Sequence, residues 1–260
     1  MLIKSKEEYT SSLIRLWNRV FGDDEDYIKL FFKEAYYDCE CFGEIVADEV
    51  VSAFYLLKSS IKSGGKVYKG RYLYAAATLP ECRGKGLMAK LIGEAIAYAE
   101  DENLDFIALV PADDGLYDYY GRFGFKQAMY KYKYHTVNHT ATMRAYREIT
   151  DGKEFSEIRN SESRDMLIYN DVCNRYAFEC LRFSSIRVFY LSDNAYYAEG
   201  EELFCSDKDM AMNLINNLCG ESVIYTNCDL DKAEKIRNGM IFAVKENVKL
   251  KDIYMNIALD

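Results

Sequence analysis

The sequence predicts an α/β protein with a mixed, twisted sheet, and three observations support this. Half of the 260 residues are hydrophobic and only two are proline, which is typical of a globular domain. Apolar runs of strand length alternate with segments whose apolar residues recur every three or four positions, as on one face of a helix. Between one such strand and the following helix lies a short turn with two glycines and two cations. This turn is the most informative stretch of the chain.

The first half of the chain predicts a regular series of elements. Gly22 and the two aspartates after it separate two amphipathic helices, and Asp23 or Asp24 can cap the second one. The stretch 63–66 (Ser-Gly-Gly-Lys) predicts a hairpin turn between two long strands. The predicted order is helix 13–20, helix 27–35, strands 41–47, 50–58 and 67–78, helix 88–99, strand 104–110, a short helix that ends near Gly124, and strand 127–136.

The turn between strand and helix has the chemistry of an anion site. It reads Arg83-Gly84-Lys85-Gly86 and opens an amphipathic helix. The first turn of a helix has backbone N–H groups without intrahelical partners, and the helix dipole favours negative charge there. Glycines let an anion approach this backbone closely, and the two cations add positive charge beside it. The pattern therefore predicts a phosphate or pyrophosphate ligand.

Two classes of ligand fit such a turn. Gly84 to Ala89 formally match the dinucleotide pattern G-x-G-x-x-G/A, but that pattern normally follows its strand directly, whereas residues 80–83 intervene here. A dinucleotide-binding oxidoreductase is therefore the weaker alternative, and it would bind NAD instead of CoA. The other pattern is Q/R-x-x-G-x-G/A, which begins at Arg83 and has Gly86 in its fourth position. With the strand before it, this segment resembles the acyl-CoA pyrophosphate loop of the GNAT (GCN5-related) N-acetyltransferase superfamily.

A second motif lies where this resemblance requires it. Asp113 or Asp114 can cap a short helix that follows the next predicted strand. The stretch 119–125 (Tyr-Tyr-Gly-Arg-Phe-Gly-Phe) is similar to the GNAT signature F-Y-x-x-x-G-F. The resemblance places Tyr120 on the tyrosine that often serves as the general acid in that family. It covers roughly residues 1–136.

The resemblance implies an N-acetyltransferase that moves an acetyl group from acetyl-CoA to a primary amine by direct attack, without a metal. It implies that backbone amides after Arg83 hold the pyrophosphate, that the preceding strand binds the pantetheine arm, and that Tyr120 protonates the leaving thiolate. The expected CoA-binding residues are Ala77, Thr78, Leu79, Arg83, Gly84, Lys85, Gly86, Leu87 and Met88. The second reading of the same motifs is an acyl-CoA-binding sensor or regulatory module without turnover.

Residues 137–260 contain no motif that names a function. They predict helices 154–170, 171–183 and 209–218, a hairpin of strands 188–191 and 195–198, strands 201–205 and 222–226, a short helix 230–237, and strands 240–244 and 253–258. This order repeats that of the first half without its glycine-rich turn, and it is similar to tandem GNAT proteins of the Eis group. We therefore expect a GNAT domain over residues 1–136 and a degenerate GNAT-like half over residues 137–260.

The sequence marks the general base poorly. An ammonium substrate must lose a proton before it attacks a thioester. Glu81, Asp105 and Glu44 are candidates only because they lie near the predicted site in sequence. Eis-like enzymes place their C-terminal carboxylate in the active site, so the resemblance adds Asp260, which follows an apolar strand, as a fourth candidate.

Composition and the remaining residues limit the other classes of function. The formal charge of −9 argues against a nucleic-acid partner and fits a cationic acceptor, either a small-molecule or a peptide amine. The chain has no signal-peptide core, no membrane-spanning run and no C-x-x-C pair among its eight cysteines, so we expect a reduced, cytoplasmic protein without a membrane partner. His135 and His139 have no third ligand nearby, and no metal site is expected. The sequence leaves the acceptor and the oligomeric state open.

Overall fold

The computed structural model describes residues 1–138, 146–162, 164–217, 220–255 and 257. Within these residues the helices are α1 (Lys6–Phe21), α2 (Glu25–Glu34), α3 (Leu87–Asp101), α4 (Asp114–Gly121), α5 (Gly152–Ser161), α6 (Asp171–Phe183) and α7 (Lys208–Asn217). The strands are β1 (Glu40–Val46), β2 (Glu49–Ser63), β3 (Lys66–Thr78), β4 (Phe106–Leu109), β5 (Lys126–Asn138), β6 (Met166–Tyr169), β7 (Val188–Ser192), β8 (Ala195–Ala198), β9 (Glu202–Phe204), β10 (Gly220–Thr226), β11 (Glu234–Ala243) and β12 (Ile253–Tyr254). No helix in these ranges is long and apolar enough to cross a bilayer.

One mixed sheet runs through both halves of the chain. Its strands pair in the order β11, β4, β3, β2, β6, β12, β5, and β5 also pairs with β11, so the pairing closes a ring. The strands β10, β9, β8 and β7 extend the sheet from β5, and β1 pairs with the start of β2. The pairs β3–β4, β12–β5, β12–β6 and β10–β9 are parallel. The predicted mixed, twisted α/β sheet is confirmed.

Strand pairing crosses the predicted division at residue 136. The strands β6, β11 and β12 come after that residue, yet they pair with β2, β4 and β5 of the first half. The proposed domains 1–136 and 137–260 therefore share one sheet. Their division stays a prediction.

Helices cover both faces of the sheet because successive strand residues point to opposite sides. On β2, Tyr55 and Leu57 belong to one apolar core, and Phe54 and Leu56 belong to the other. The first core also holds the buried stripes of α1, α2 and α6, including Trp17. The second core holds the buried residues of α3 and α4. The helix α3, which follows the glycine-rich turn, and the helix α4, which carries Tyr120, therefore pack on the same face of the sheet.

The third strand is irregular where the site forms. β3 pairs in parallel with β4 only from Gly70 to Tyr72. Beyond that, its register with β2 shifts around Ala75, whose φ is +50°. A β-bulge adds one residue to one strand of a pair and bends that strand. β3 therefore parts from β4 after Tyr72, and the gap between their ends is lined by both strands.

A buried ion pair holds the last strand in the sheet. Nη1 of Arg159 on α5 lies 3.0 Å from Oε2 of Glu202, and the two side chains are 1% and 0% exposed. The hydroxyls of Tyr196 and Tyr254 donate to the same carboxylate. Breaking a buried pair by removing one partner is costly because a buried charge is left uncompensated. This carboxylate therefore links β12, through Tyr254, to β9 and α5.

Several local predictions are confirmed. At the start of α2, the Asp24 carboxylate accepts the N–H of Asp26 at 2.8 Å. At the start of α4, the Asp113 carboxylate accepts the N–H of Leu116 at 3.0 Å. Stretch 63–66 forms the predicted hairpin between β2 and β3.

Two predicted helices are wrong. The helix predicted over 154–170 ends at Ser161, and its last apolar residues form β6, which is buried throughout. The short helix predicted over 230–237 is replaced by a loop and the start of β11, which pairs with both β4 and β5. A short apolar run fits a buried strand as well as a helix, and the pairing partners, which are distant in sequence, decide between them.

Replacing Gly70 with alanine should destabilise the fold. An ideal Cβ at Gly70 would lie 2.5–2.6 Å from three atoms of the Phe106 ring, where β3 meets β4. This ring is fully buried and cannot move aside freely. Overpacking of this kind should lower the free energy of unfolding by about 1–3 kcal/mol, which chemical denaturation measures.

Gly93→Ala is the matched control. Gly93 lies within α3, and a Cβ there would meet nothing within 4 Å. Since alanine favours the helix, this variant should be as stable as the wild type or more stable by up to about 1 kcal/mol. Equal unfolding free energies for the two variants would contradict the close packing at Gly70.

Candidate active site

The glycine-rich turn connects β3 to α3. After a single 3-10 turn, Pro80–Cys82, comes Arg83, whose Nε donates to the Thr78 carbonyl at 3.2 Å. Gly84 and Gly86 have φ of +74° and +75°, a region that L side chains rarely adopt, and Gly86 caps α3. A Cβ at either glycine would meet nothing within 4 Å, so the backbone here faces open space. The first amides of α3 are therefore accessible to an anion.

A cavity of about 640 Å³, the loop cavity, lies against this turn. Six of the predicted CoA-binding residues line it, namely Thr78, Arg83, Gly84, Gly86, Leu87 and Met88. The other three lie beside it. Ala77 is buried in the sheet, the amide of Leu79 donates to the Val51 carbonyl at 2.9 Å, and Lys85 is exposed to solvent.

A second cavity, the inner cavity, occupies about 410 Å³ in the gap between β3 and β4. Its walls are the bulged part of β3, the end of β4, the start of α4 and the end of α1. It shares Ala76, Leu116 and Tyr120 with the loop cavity, so the two cavities meet at these residues. Ala75 and Ala76 belong to the strand predicted to bind the pantetheine arm, and they bring its irregular backbone, which was not predicted, to this meeting point. The bulge depends on contacts between residues distant in sequence, and a run of three alanines does not predict it.

Tyr120 lies at the junction of the loop and inner cavities. Its side chain is 6% exposed, and its ring packs edge-on against Tyr119 and Phe125, with ring centroids 5.3 and 5.9 Å away. Burial, and to a lesser extent the neighbouring Tyr119, raises the pKa of Tyr120 well above that of a solvated tyrosine. The phenol is therefore protonated over the whole physiological range and can donate a proton.

Asp23 is the carboxylate that the sequence did not single out as functional. It lies in the turn between α1 and α2 and lines the inner cavity. Nε1 of Trp17, which is 3% exposed, donates to Asp23 Oδ2 at 2.7 Å and so fixes the carboxylate. Among the described residues that line the inner cavity, Asp23 is the one carboxylate. In sequence it looked like a helix cap, a role that the structure gives to Asp24.

The other candidates for the general base lie elsewhere. Glu81 pairs with Arg19 on the surface at 3.0 Å, and Glu44 pairs with Lys90 at 2.8 Å. Asp105 accepts the ammonium of Lys245 at 2.7 Å. None of these three carboxylates lines the loop or the inner cavity. The fourth candidate, Asp260, lies outside the described residues.

A third cavity of about 470 Å³, the outer cavity, continues from the inner one. It shares Asp23 and Tyr27 with the inner cavity. Its remaining walls come from α2, from β5 and from the second half of the chain, namely Asp24, Lys131, Ala177, Cys180, Leu181, Phe183, Ser184, Ile186, Glu201, Tyr225 and Ile257. The three cavities thus follow one another, with Tyr120 at the first junction and Asp23 at the second.

Among the described residues, Cys41, Cys82 and His135 belong to no group of three or more potential metal ligands. Cys82 is half-buried in the wall of the loop cavity, whereas Cys41 is fully buried, and burial raises its pKa to about 12. His135 lies on β5, and His139 lies outside the described residues. Over the described ranges, no group of three or more His, Cys, Asp or Glu side chains could hold a metal ion.

Comparisons with known proteins concern the first half of the chain and the fold. Residues 2–128 match the family model of the acetyltransferase (GNAT) domain. A comparison with curated proteins gave no match.

Three solved structures share the fold over 94% of this chain. One is a protein from Enterococcus faecalis described as a probable N-acyltransferase, with a TM-score of 0.69, 14% identity and 72% of that chain covered. Another is Eis1 from Mycobacterium abscessus, with a TM-score of 0.67, 12% identity and 73% of that chain covered. The third is a GCN5-related N-acetyltransferase from Kribbella flavida, with a TM-score of 0.63, 17% identity and 72% of that chain covered. At these identities the likeness shows the fold. The family match covers residues 2–128, just under half of the 260 residues, and shows that this part of the chain is similar to a GNAT acetyltransferase domain.

Proposed function

We propose that the protein transfers an acetyl group from acetyl-CoA to a primary amine by direct attack of the amine on the thioester. One observation carries the proposal. Tyr120 lies where the loop cavity meets the inner cavity, and Asp23 lies where the inner cavity meets the outer one. Both side chains line the inner cavity, so a proton donor and a carboxylate border the space in which a thioester and an ammonium would react.

The donor occupies the loop cavity in this proposal. Its pyrophosphate binds the accessible amides that begin α3, beside the positive charges of Arg83 and Lys85. The pantetheine arm then runs along the end of β3 toward the bulge at Ala75 and Ala76. This path brings the thioester to Tyr120, where the loop and inner cavities meet.

The acceptor enters from the outer cavity. Its ammonium binds the Asp23 carboxylate, which Trp17 holds in place, and gives that carboxylate one proton. The neutral nitrogen attacks the thioester carbon, so that the C–N bond forms and the C–S bond breaks with its electron pair on sulfur. Tyr120 donates its proton to this thiolate and regains one from the nitrogen. The sum converts acetyl-CoA and the ammonium into the amide, CoA and one proton, which Asp23 releases to water.

A carboxylate at Gly86 should abolish tight binding of the donor. Gly86→Glu places a negative charge and a strained residue at the N-terminus of α3, so the affinity for acetyl-CoA should fall about tenfold or more. Calorimetric titration with acetyl-CoA measures this, and titration with NAD should give no binding to the wild type.

Gly65→Glu is the matched control. Gly65 lies at the β2–β3 hairpin with a φ of +74°, and a Cβ there meets nothing within 4 Å, as at Gly86. The same strain and charge far from the turn should leave acetyl-CoA affinity unchanged. Full affinity in Gly86→Glu would mean that the pyrophosphate binds elsewhere.

Removing the Tyr120 hydroxyl should slow the chemical step. Tyr120→Phe keeps the buried ring but removes the acid, so kcat should fall about 10²–10⁴-fold while acetyl-CoA affinity is kept. Tyr119→Phe, one residue away in the wall of the loop cavity, should leave kcat within about threefold. Similar kcat values for the two variants would show that Tyr120 is a packing residue.

The pH dependence of kcat provides a second check on Tyr120. Because burial raises its pKa, the protonated, donating form persists above pH 10.0, the ordinary pKa of tyrosine. We therefore expect no fall of kcat from ionisation of Tyr120 between pH 7 and pH 10. Stopped assays of CoA thiol release across this range measure it, with the stability of the thioester itself as the blank.

Neutralising Asp23 should weaken the acceptor side alone. In Asp23→Asn, kcat/KM for an amine should fall about tenfold or more, since a charge-assisted hydrogen bond is lost, while acetyl-CoA affinity is unchanged. Asp24→Asn is the control, because it removes the same charge one residue away and asparagine keeps the cap of α2. An equal loss in both variants would point to general electrostatics instead of a specific contact.

The outcome for the wild type separates the enzyme from the sensor. Release of CoA thiol on adding an amine supports the transferase. Tight acetyl-CoA binding without release on any amine of a broad panel would favour the acyl-CoA-binding module, in which the loop cavity alone is used.

A further inference from the structure

We propose that the acceptor is a monoamine carried on a flat, apolar body, an arylalkylamine, and not a polycation. This inference rests on the proposed amine transfer and concerns its specificity. It follows from two features of the acceptor side. One carboxylate is placed to meet an ammonium, and aromatic rings stand on both sides of it.

The charges around the outer cavity leave Asp23 as the group that meets an ammonium. Of the other two carboxylates in its wall, Asp24 accepts the N–H of Asp26 at the start of α2. Glu201 is opposed by Lys131 in the same wall, and burial raises its pKa, which disfavours its charged form. A second ammonium of a polycation would therefore find no carboxylate placed as Asp23 is. It would lose hydration in the cavity without a compensating ion pair.

Aromatic rings form two pairs around Asp23. On one side Trp17 and Phe21 meet edge to face, with ring centroids 6.0 Å apart, in the wall of the inner cavity. On the other side Tyr27 and Phe183 have centroids 5.5 Å apart in the wall of the outer cavity. Rings around a carboxylate attract an ammonium through cation–π contact and present apolar surface to the group that bears it.

The outermost ring of each pair is exposed. Phe21 and Phe183 are each 45% accessible to solvent, although phenylalanine is among the residues that proteins bury most often. An exposed apolar patch beside a cavity is typical of a ligand site. A flat apolar ligand in contact with either ring would remove more apolar surface from water than a hydroxylated or polycationic ligand of similar size would.

A panel of three amines tests the inference with the full chain. The acceptors are 2-phenylethylamine, 2-aminoethanol and spermidine, assayed by CoA thiol release at saturating acetyl-CoA. We expect kcat/KM for 2-phenylethylamine to exceed that of each other amine by about tenfold or more, which is the effect of burying one ring. A value for spermidine equal to or above that for 2-phenylethylamine overturns the proposal.

Variants of the exposed rings separate specificity from catalysis. Phe21→Ser and Phe183→Ser should each lower kcat/KM several-fold more for 2-phenylethylamine than for 2-aminoethanol, while the affinity for acetyl-CoA is kept. Phe183→Leu should restore most of the loss if apolar contact dominates. Tyr37→Ser is the control, since Tyr37 is 61% exposed but lines none of the three cavities. Equal losses with both amines would contradict a role in specificity.

A binding measurement distinguishes failure of this inference from failure of the proposed function. Trp17 is the single tryptophan of the chain and donates to Asp23, so its fluorescence reports this site directly. In the presence of CoA, 2-phenylethylamine should bind about tenfold more tightly than spermidine, and Asp23→Asn should weaken its binding. This preference without turnover would refute the transferase and keep the amine site. The opposite preference would refute the inference, whatever the turnover.

Discussion

The site depends on the point at which β3 separates from β4. The two strands pair closely from Gly70 to Tyr72, where the Phe106 ring packs on the bare backbone of Gly70. The bulge at Ala75 then turns β3 away, and the space that opens becomes the inner cavity. Without the separation, hydrogen bonding between the strands would continue and leave no room between Tyr120 and Asp23. The inner cavity therefore depends both on close pairing at one end of β3 and on the loss of pairing at the other end.

The two halves of the chain contribute different walls to the three cavities. The first half supplies the donor side through the glycine-rich turn and α4. The second half supplies structural strands, since β11 covers the free edge of β4, and also most of the wall of the outer cavity. The buried Arg159–Glu202 pair holds Tyr254 and so keeps β12 beside β5, next to the part of the chain that brings Ile257 to that wall. The shape of the acceptor side is therefore set by the half that carries no motif.

How far the sequence predicts this molecule depends on the range of the interactions involved. The glycine-rich turn and the Tyr120 helix are local, because glycine φ, a cap and an apolar face are encoded within a few residues, and both were predicted. Asp23 was not singled out in the sequence, since its place in the wall of the inner cavity depends on Trp17 and on residues distant in sequence. The start of β11 was mistaken for a helix for the same reason, because its pairing with β5 decides. Contacts between residues distant in sequence define the outer cavity, and the spacing of residues along the chain does not predict them.

The two ends of the inner cavity provide different solvation, and this matches the order of events in acetyl transfer. At the Tyr120 end, burial favours the neutral phenol, so in the proposed reaction the thiolate would form beside a protonated group. At the Asp23 end the carboxylate is half-buried, in a turn whose neighbours are exposed, so water can reach it. The proposed proton donor is therefore the buried group that lines the inner cavity, and the proposed proton acceptor is the half-buried carboxylate in the same wall.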